Sequence, residues 1–350
     1  MEYTLKLYNQ IYFEQCAEIQ GYLWKEDLDG RKRRFDWTYH KNPNYHKCLS
    51  IIAVSDNDEV VGFRGVFLNK FIIGGKSEVV AQICDTVIVP SARKQGVFSK
   101  MNLFLVEILR KEGIKLILDT GPSWTPYYGN KKIGFKDLVP LQNMYNISIL
   151  KLLKDSFFRF ANHSFLFNNI EIVKNNITYK ISDSLTDQEV LSVCSLDKSD
   201  FIHSSMDLYN LRWRITRTNK LYRFVQSYNA EGTLLSFMML STTDMKDYNL
   251  GLILYVDNRC LRKSFKIFKK YCTPTKVLVW KPISNEKDVK ILHKMGFYTI
   301  PFLNRIKKNP SSLILSLQHN KTDDINWMVN GVNVLDPYKW NLRKLDLDSF

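Results

Sequence analysis

Residues 81–98, AQICDTVIVPSARKQGVF, constrain the fold of this chain more than any other stretch. An apolar run that ends at Val89-Pro90 predicts a strand, and the basic turn that follows, with Arg93, Lys94 and Gly96, predicts the start of a helix. Such a turn directs backbone N–H groups, the positive end of the helix dipole and two full charges towards one point. The sequence therefore predicts that this turn binds an anionic group.

Length and composition predict a folded protein with two hydrophobic cores. The chain has 350 residues, and a single core typically serves roughly 150 residues. Its 45% hydrophobic and 13% aromatic content excludes a disordered chain. No apolar run approaches the roughly 18–20 residues that cross a bilayer, and residues 1–16 lack a signal pattern. The six cysteines include no C-x-x-C pair, which favours reduced thiols and a cytoplasmic location.

Charge narrows the possible partners without selecting one. Lysine and arginine number 50 and aspartate and glutamate 35, a surplus of 15 positive charges. Such a surplus favours nucleic acid, an anionic membrane or phosphorylated small molecules as partners. It is equally typical of lysine- and asparagine-rich proteins from AT-rich genomes. The six histidines show no metal-ligand spacing, so the sequence predicts no metal.

The first 135 residues predict the order β-α-β-β-β-α-β, then a loop, then a Gly-Phe ending. Strands are predicted at residues 3–8, 49–54, 60–68, 79–89 and 114–119, and a helix with the apolar stripe Phe98, Met101, Leu105 and Leu109 lies before the last of them. Gly74-Gly75 predicts a hairpin turn. Residues 120–126 contain so many helix breakers that a loop is expected there.

This order and two of its motifs resemble the GNAT acyltransferase superfamily over about residues 1–145. The family's acyl-CoA loop, [Q/R]-x-x-G-x-[G/A], is matched by RKQGVF at residues 93–98, after a strand that ends Val-x-Val-Pro. The second motif is Ile133-Gly134-Phe135. The sequence departs from the family at Phe98, where a small residue is usual. The run Phe-x-Trp-x-Tyr…Asn-Pro at residues 35–43 is similar to versions found among bacterial surface-polysaccharide enzymes, which acylate an amino group on a nucleotide-linked sugar.

A second, weaker copy follows the first. Residues 35–54 parallel residues 211–229 at an offset that aligns Trp37 with Trp213, and the Gly-Phe ending recurs at Gly296-Phe297. The second copy has VDNRC at 256–260 in place of the acyl-CoA loop. It is therefore expected not to bind the donor, and either supplies the acceptor pocket or only completes the fold.

Together these patterns predict an α/β (α+β) fold of two GNAT-like halves, each a mixed, mostly antiparallel twisted sheet flanked by helices. The predicted segments are a GNAT domain with the acyl-CoA loop (1–149), a basic, phenylalanine-rich connector (150–176), a degenerate GNAT-like domain (177–310) and a tail that packs back on both (311–350).

The resemblance implies that the co-substrate is acetyl-CoA or another acyl-CoA. The loop residues Arg93, Lys94, Gln95, Gly96, Val97 and Phe98 would hold its diphosphate. Backbone N–H groups at the splayed end of the central strand, at Val87, Ile88 and Val89, would polarise the thioester carbonyl. Asn130 stands where many family members have a tyrosine, and we assign it to the same binding site.

Catalytic candidates follow from the chemistry of acyl transfer, which needs a neutral amine and a proton for the departing thiolate. Asp85 is the candidate base. Strict alternation would place it on an apolar face, so either a bulge turns it or that face opens into a cleft. The alternative is a structural carboxylate held by a neighbouring turn. Tyr128 is the candidate acid, with Tyr127 its competitor.

Aromatic residues are assigned to the acceptor site, with plain core packing as the alternative for each. These residues are Trp37, Tyr39, Trp124 and Tyr127. The function predicted is N-acyl transfer, most simply N-acetyl transfer, from CoA to a primary amine of a small acceptor. The amine could belong to an amino sugar nucleotide. Two alternatives stay open: a tandem-GNAT transferase that takes an aminoacyl group from tRNA, and a non-catalytic basic module that binds nucleic acid. No nucleic-acid motif is present, which ranks the last of these third; the oligomeric state is open.

Overall fold

The structure is a computed structural model that describes residues 2–44, 48–138, 141–149, 169–197, 199–217, 220–243, 246–282, 286–300, 310–319, 324–343 and 345. The strands are β1 (Tyr3–Leu7), β2 (Ile51–Ser55), β3 (Val60–Ile73), β4 (Lys76–Ile88), β5 (Leu116–Asp119), β6 (Lys136–Asp137), β7 (Leu141–Ile147), β8 (Ile170–Lys174), β9 (Ile177–Ser182), β10 (His203–Ser204), β11 (Leu221–Tyr228), β12 (Leu234–Thr242), β13 (Asp247–Tyr255), β14 (Lys276–Pro282), β15 (Leu313–Ser316), β16 (Met328–Val329) and β17 (Val332–Asn333). The α-helices are α1 (Phe13–Ile19), α2 (Leu28–Phe35), α3 (Val97–Lys111), α4 (Trp124–Lys132), α5 (Asp187–Leu196), α6 (Leu208–Ile215), α7 (Asn258–Cys272) and α8 (Glu286–Lys294).

The first sheet is built around the long hairpin of β3 and β4. Its strand order is β1-β2-β3-β4-β5-β15-β6, with β10 added beside β3. The hairpin turns at Gly74-Gly75, where φ is +57° and +73°. This left-handed pair matches the twist of the strands and confirms the predicted turn. Strands β4 and β5 pair in parallel, through the crossover helix α3.

Helix α3 covers one face of this sheet with the predicted apolar stripe. Met101, Leu105 and Leu109 are buried as expected, but the first buried residue is Val97 rather than Phe98. The prediction of a loop through residue 126 is wrong at its end, because α4 begins at Trp124. Pro126 lies in the first turn of that helix, where the missing N–H has no intrahelical acceptor to lose.

The second sheet repeats this plan. Its order is β7-β14-β13-β12-β11-β9-β8, and β13 and β14 pair in parallel through the crossover helix α7. Two mostly antiparallel sheets flanked by helices are therefore present, which confirms the predicted fold class.

Strands are exchanged between the halves. Strand β7 joins the second sheet beside β14, although it follows the first sheet in sequence. Strand β15, which comes late in the chain, lies between β5 and β6 of the first sheet. In the tail, Trp340 is 1% exposed and packs on Phe71 of β3. The sheets thus interlock across the predicted domain boundaries, which remain a prediction.

The two tryptophans aligned by the internal repeat meet where the halves join. The rings of Trp37 and Trp213 stack with centroids 4.7 Å apart and an angle of 15° between their planes. Each indole N–H donates to the backbone carbonyl of the other residue, at 2.9 Å in both directions. Equivalent positions of the repeat therefore form a reciprocal, buried contact.

Candidate functional site

The first sheet opens between β4 and β5, because β4 extends beyond the residues that pair with β5. Their parallel ladder consists of Ala81 with Ile117 and Gln82 with Leu118, after which β4 continues to Ile88 without β5 beside it. The N–H of Val89 donates to Val61 O at 3.0 Å. Because N–H groups alternate sides along a strand, Val87 also faces β3, and Ile88 faces the opening. Of the three amides assigned to the thioester carbonyl, two are thus directed into the sheet.

The turn after β4 lies on the surface with its amides available. Arg93, Lys94, Gln95 and Gly96 are all exposed. Lys94 and Gly96 have φ of +62° and +76°, the alternating geometry that makes neighbouring N–H groups converge. Gly96 is the N-cap of α3 and offers no side chain to the first-turn amides. A Cβ at this glycine would meet nothing within 4 Å, so the space in front of the turn is open.

The side chains of the turn fold along it and leave that space clear. Arg93 Nε donates to Ile88 O at 3.0 Å, and Gln95 Nε2 donates to Ser91 O at 2.9 Å. The ring of Phe98 points to α4, where a Cβ on Gly129 would lie 2.3 Å from it. The absence of a side chain at Gly129 therefore accommodates the ring that replaces the family's usual small residue.

A cavity of about 240 Å³ lies in the opening between β4 and β5. Its walls include residues 83–86 of β4, residues 119–123 at the end of β5 and in the loop after it, Trp24, Arg64 and, from the second half, Trp280. A neighbouring cavity of about 160 Å³ shares residues 120–123 and Trp280 and adds Asn143 of β7 and Pro310. Both halves therefore contribute walls to one cleft.

Asp85 reaches this cavity through a β-bulge. Arg64 pairs with Thr86 and Gly65 with Cys84, so Asp85 is the extra residue of β4, and its φ is +41°. The bulge is one of the two arrangements that the alternation argument allowed. A left-handed backbone at a residue other than glycine is strained, and surrounding contacts must hold it.

Two hydrogen-bond donors, the buried Tyr39 and the half-buried Trp24, and one buried cation, Arg34, hold the Asp85 carboxylate. Tyr39 Oη donates to Oδ2 at 2.9 Å, Trp24 Nε1 donates to Oδ1 at 3.2 Å, and Arg34 Nη2 lies 3.6 Å from Oδ1. Burial, together with the negative charge of Asp85, raises the pKa of Tyr39 well above its ordinary value, so this hydroxyl keeps its proton and donates. Gly65 provides the room, since a Cβ there would lie 2.1 Å from Tyr39 Oη.

A second polar network, which the sequence did not reveal, lines the opposite side of the cavity. Arg64 donates from Nε to Asn102 Oδ1 at 2.9 Å, from Nη2 to Asn130 Oδ1 at 3.3 Å, and from Nη1 to Thr86 Oγ1. Asn130 in turn donates to Asp119 Oδ2 at 2.7 Å. Asn130, assigned to the co-substrate, is fully buried and joins Arg64 to Asp119 instead. The available signal was the position of Asp119, a charged residue at the end of an apolar strand.

The predicted acceptor-site aromatics lie outside the two cavities. Trp37 is in the interface between the halves, and Tyr39 stands behind Asp85. Trp124 and Tyr128 are 45% and 58% exposed and stack on each other at 5.7 Å. Tyr127 donates to Asp137 Oδ1 at 2.6 Å, and this bond raises its pKa to about 12. The α4 residue that does line the larger cavity is Pro126.

In the second half, a carboxylate occupies the place of the anion-binding turn. Asp257 caps α7 and accepts from the backbone N–H groups of Arg259 and Cys260 at 2.6 and 3.3 Å. Burial alone would raise the pKa of Asp257, but these hydrogen bonds lower it below its ordinary value. The amides that would hold a phosphate are therefore already satisfied by the chain itself.

Asp257→Ala is expected to lower the free energy of unfolding by about 1 kcal/mol at neutral pH, the usual cost of a lost N-cap. Because the folded-state pKa is depressed, the carboxylate's contribution is complete above its unfolded pKa of about 3.9 and is lost as the pH falls through the folded value. Urea denaturation of the wild type and the variant at pH 7 and pH 3 measures the loss of unfolding free energy and its dependence on pH. An equal loss at both pH values would contradict the charged-cap assignment.

In the described part of the chain, no group of three or more histidine, cysteine, aspartate or glutamate side chains could hold a metal ion. Over the same residues, no helix combines the length and apolar character needed to cross a membrane.

Residues 4–135 match the family model of the acetyltransferase (GNAT) domain. This segment, about the first two fifths of the chain, is therefore a GNAT acetyltransferase domain. No curated protein sequence matches it.

Solved structures extend the likeness to both halves. A probable N-acyltransferase from Enterococcus faecalis V583 superposes with a TM-score of 0.64 at 12% identity, covering 91% of this chain and 73% of that one. A tandem GNAT protein from the clavulanic acid biosynthesis pathway gives 0.57 at 10% identity, covering 91% and 100%. Saccharomyces cerevisiae N-myristoyltransferase with bound myristoyl-CoA gives 0.56 at 11% identity, covering 93% and 83%. At these identities the likeness establishes the tandem-GNAT fold.

Proposed function

We propose that this protein is a CoA-dependent N-acyltransferase that moves an acyl group, most simply acetyl, to a primary amine of a small acceptor. The observation that carries the proposal is the exposed turn at residues 93–98. Lys94 and Gly96 there have positive φ, Gly96 is an N-cap without a side chain, and a Cβ on it would meet nothing within 4 Å; the turn follows the strand that borders the cavity. This arrangement fits a diphosphate.

Acyl-CoA supplies an activated thioester, so that a C–N bond to the amine forms as the C–S bond to CoA breaks. The chain's own residues have three tasks around that exchange. The turn at residues 93–98 holds the diphosphate, and the Ile88 N–H, which faces the opening, donates to the carbonyl oxygen. Asp85 accepts the proton that the amine loses. Tyr128, an exposed residue of helix α4, is the proposed proton donor to the sulfur.

For the acceptor we propose an amino sugar nucleotide of surface-polysaccharide synthesis, and for the location the cytoplasm, where acyl-CoA is made. The support is the resemblance of residues 35–43 to such enzymes. In this fold those residues do not line the cavities; they pack against the second half and hold Asp85. Their effect on the acceptor would therefore act through Asp85.

Acetyl-CoA is expected to raise Tm by several degrees, because a ligand at 100 times its Kd stabilises the folded state by about 2.7 kcal/mol. Gly96→Trp fills the space before the turn and Arg93→Glu reverses a charge there, so both should abolish the shift. Lys111→Glu, the same charge reversal at the far end of α3, should keep it. Differential scanning fluorimetry of the full chain provides the measurement.

Other outcomes of that experiment favour the alternatives. No shift with any acyl-CoA from acetyl to myristoyl would overturn the proposal. Co-purifying tRNA without a CoA response would favour transfer from aminoacyl-tRNA. Salt-dependent retardation of plain duplex DNA would favour a nucleic-acid-binding module.

A further inference from the structure

Arg64 is a buried cation in the wall of the candidate acceptor cavity. Its side chain is 2% exposed, yet it lines the cavity beside residues 83–86. A charged group at such a position is costly unless it is paired. The hydrogen-bond partners of Arg64 therefore show whether the protein itself supplies a negative charge to pair with it.

All the hydrogen-bond partners of Arg64 within the described part of the chain are neutral. They are the side chains of Asn102, Thr86 and Asn130. Among the described residues, the guanidinium forms no salt bridge with a carboxylate; the charge of Asp119 acts on it from the far side of the Asn130 amide. A guanidinium has five N–H groups, and these bonds use three of them. By this count, two N–H groups of Arg64 make no hydrogen bond to the described residues and can serve a ligand.

The other charges of the cavity limit what that ligand can be. Asp85 and Asp119 both line the same walls, and Asp85 is already paired with Arg34. A doubly charged phosphate would be repelled by two carboxylates, whereas a single carboxylate can bind the guanidinium through two parallel hydrogen bonds. A cavity that carries both signs is complementary to a molecule that carries an amine and a carboxylate.

We propose that Arg64 binds a substrate carboxylate, and that the acceptor is an amine which itself carries a carboxylate. An amino sugar acid, whose sugar enters the cavity while its nucleotide stays outside, keeps the acceptor proposed above, and a free amino acid would replace it. This inference rests on the proposed function and names the class of its acceptor. The same carboxylate chemistry would also be met by a dicarboxylic acyl group, such as succinyl, on CoA.

Binding measurements separate these sources. The full chain, saturated with CoA, is titrated by calorimetry with the twenty amino acids and their methyl esters, and with muramic acid and glucosamine, an amino sugar with and without a carboxylate. At least one acid is expected to bind tenfold or more tightly than its uncharged counterpart. In a separate titration of the free protein, the affinities for succinyl-CoA and acetyl-CoA are compared, which tests whether the carboxylate belongs to the acyl group.

Substitutions at Arg64 test whether this residue causes the preference for the acid over its uncharged counterpart. Arg64→Met should reduce the acid-to-ester ratio to about one, and Arg64→Lys, which keeps the charge but not the planar fork, should reduce it in part. Arg110→Met makes the same change at an exposed arginine of α3 that does not line the cavity, and it should preserve the ratio. A preference for succinyl-CoA alone, lost in Arg64→Met, would support the Arg64 site and assign the carboxylate to the donor.

Two results would overturn the inference: no carboxylated compound binds more tightly than its counterpart, or the preference survives in Arg64→Met. Neither is the result that would overturn N-acyl transfer itself, which is the absence of an acyl-CoA-induced rise in Tm. The two proposals therefore fail separately.

Discussion

Replacing Trp213 with alanine is expected to lower the free energy of unfolding by about 3–5 kcal/mol, the usual cost of removing a large buried aromatic side chain. Three interactions would be lost together: the stack on Trp37, the hydrogen bond from its indole to Trp37 O, and the contact with the Arg214 guanidinium 4.6 Å from the ring. Strands β7 and β15 still join the halves in this variant, so both halves should unfold together at a lower urea concentration. Urea denaturation followed by tryptophan fluorescence and by circular dichroism would show coincident transitions with a lowered midpoint.

A double-mutant cycle tests whether the two tryptophans act as a unit. Trp37→Ala and Trp213→Ala should be less than additive, with a coupling energy of about 1–3 kcal/mol. Trp340→Ala is the matched control, because this indole is equally buried but packs on Phe71 and donates to Val334 O. It should destabilise by a similar amount and add to Trp37→Ala. Simple additivity of Trp37→Ala and Trp213→Ala would contradict the interface role.

The features that the sequence predicts well are those encoded by neighbouring residues. The turn at residues 93–98 depends on a glycine that can adopt positive φ and on the helix that follows it, so its exposure was predictable. Gly74-Gly75 specifies its hairpin for the same reason. The bulge at Asp85 was one of two solutions to a carboxylate in an alternating apolar strand, because burial without partners is costly.

The features that the sequence does not predict depend on contacts between distant elements. The repeat aligned Trp37 with Trp213, but alignment does not reveal that a two-fold arrangement brings the aligned residues into contact. Strand β15 pairs with β5 across nearly 200 residues, and no local pattern selects that partner. Arg64, Asn130 and Asp119 lie on three different elements, and each looks ordinary in its own segment.

The assignment of aromatic residues to the acceptor site shows that the sequence also does not distinguish a cleft wall from a core. An aromatic run such as that around Trp37 and Tyr39 is compatible with a cleft wall and with a core, since both bury rings. Tyr39 packs behind Asp85 because Gly65 leaves room for its ring and the bulge turns Asp85 towards its hydroxyl. Both features depend on how β3 pairs with β4, which the sequence does not show.

Asp85→Asn is expected to reduce kcat by about 10²- to 10⁴-fold, the usual contribution of a general base, and to keep the acetyl-CoA-induced rise in Tm. Asparagine has the same shape and tolerates the left-handed backbone at this position. It cannot take a proton from the amine, but it leaves the turn at residues 93–98 intact. Steady-state kinetics and scanning fluorimetry on the same preparation measure both properties.

Companion variants separate proton transfer from the structural role of the carboxylate. Tyr39→Phe removes the donor 2.9 Å from Asp85 Oδ2 but keeps the carboxylate, so it should lower kcat much less than Asp85→Asn. Asp119→Asn removes the other carboxylate of the cavity and can still accept from Asn130. If Asp119→Asn loses the activity and Asp85→Asn retains it, the base is Asp119. In that case Tyr39, Trp24 and Arg34 contact Asp85 to hold the bulge, and the strained backbone of β4 has a structural purpose.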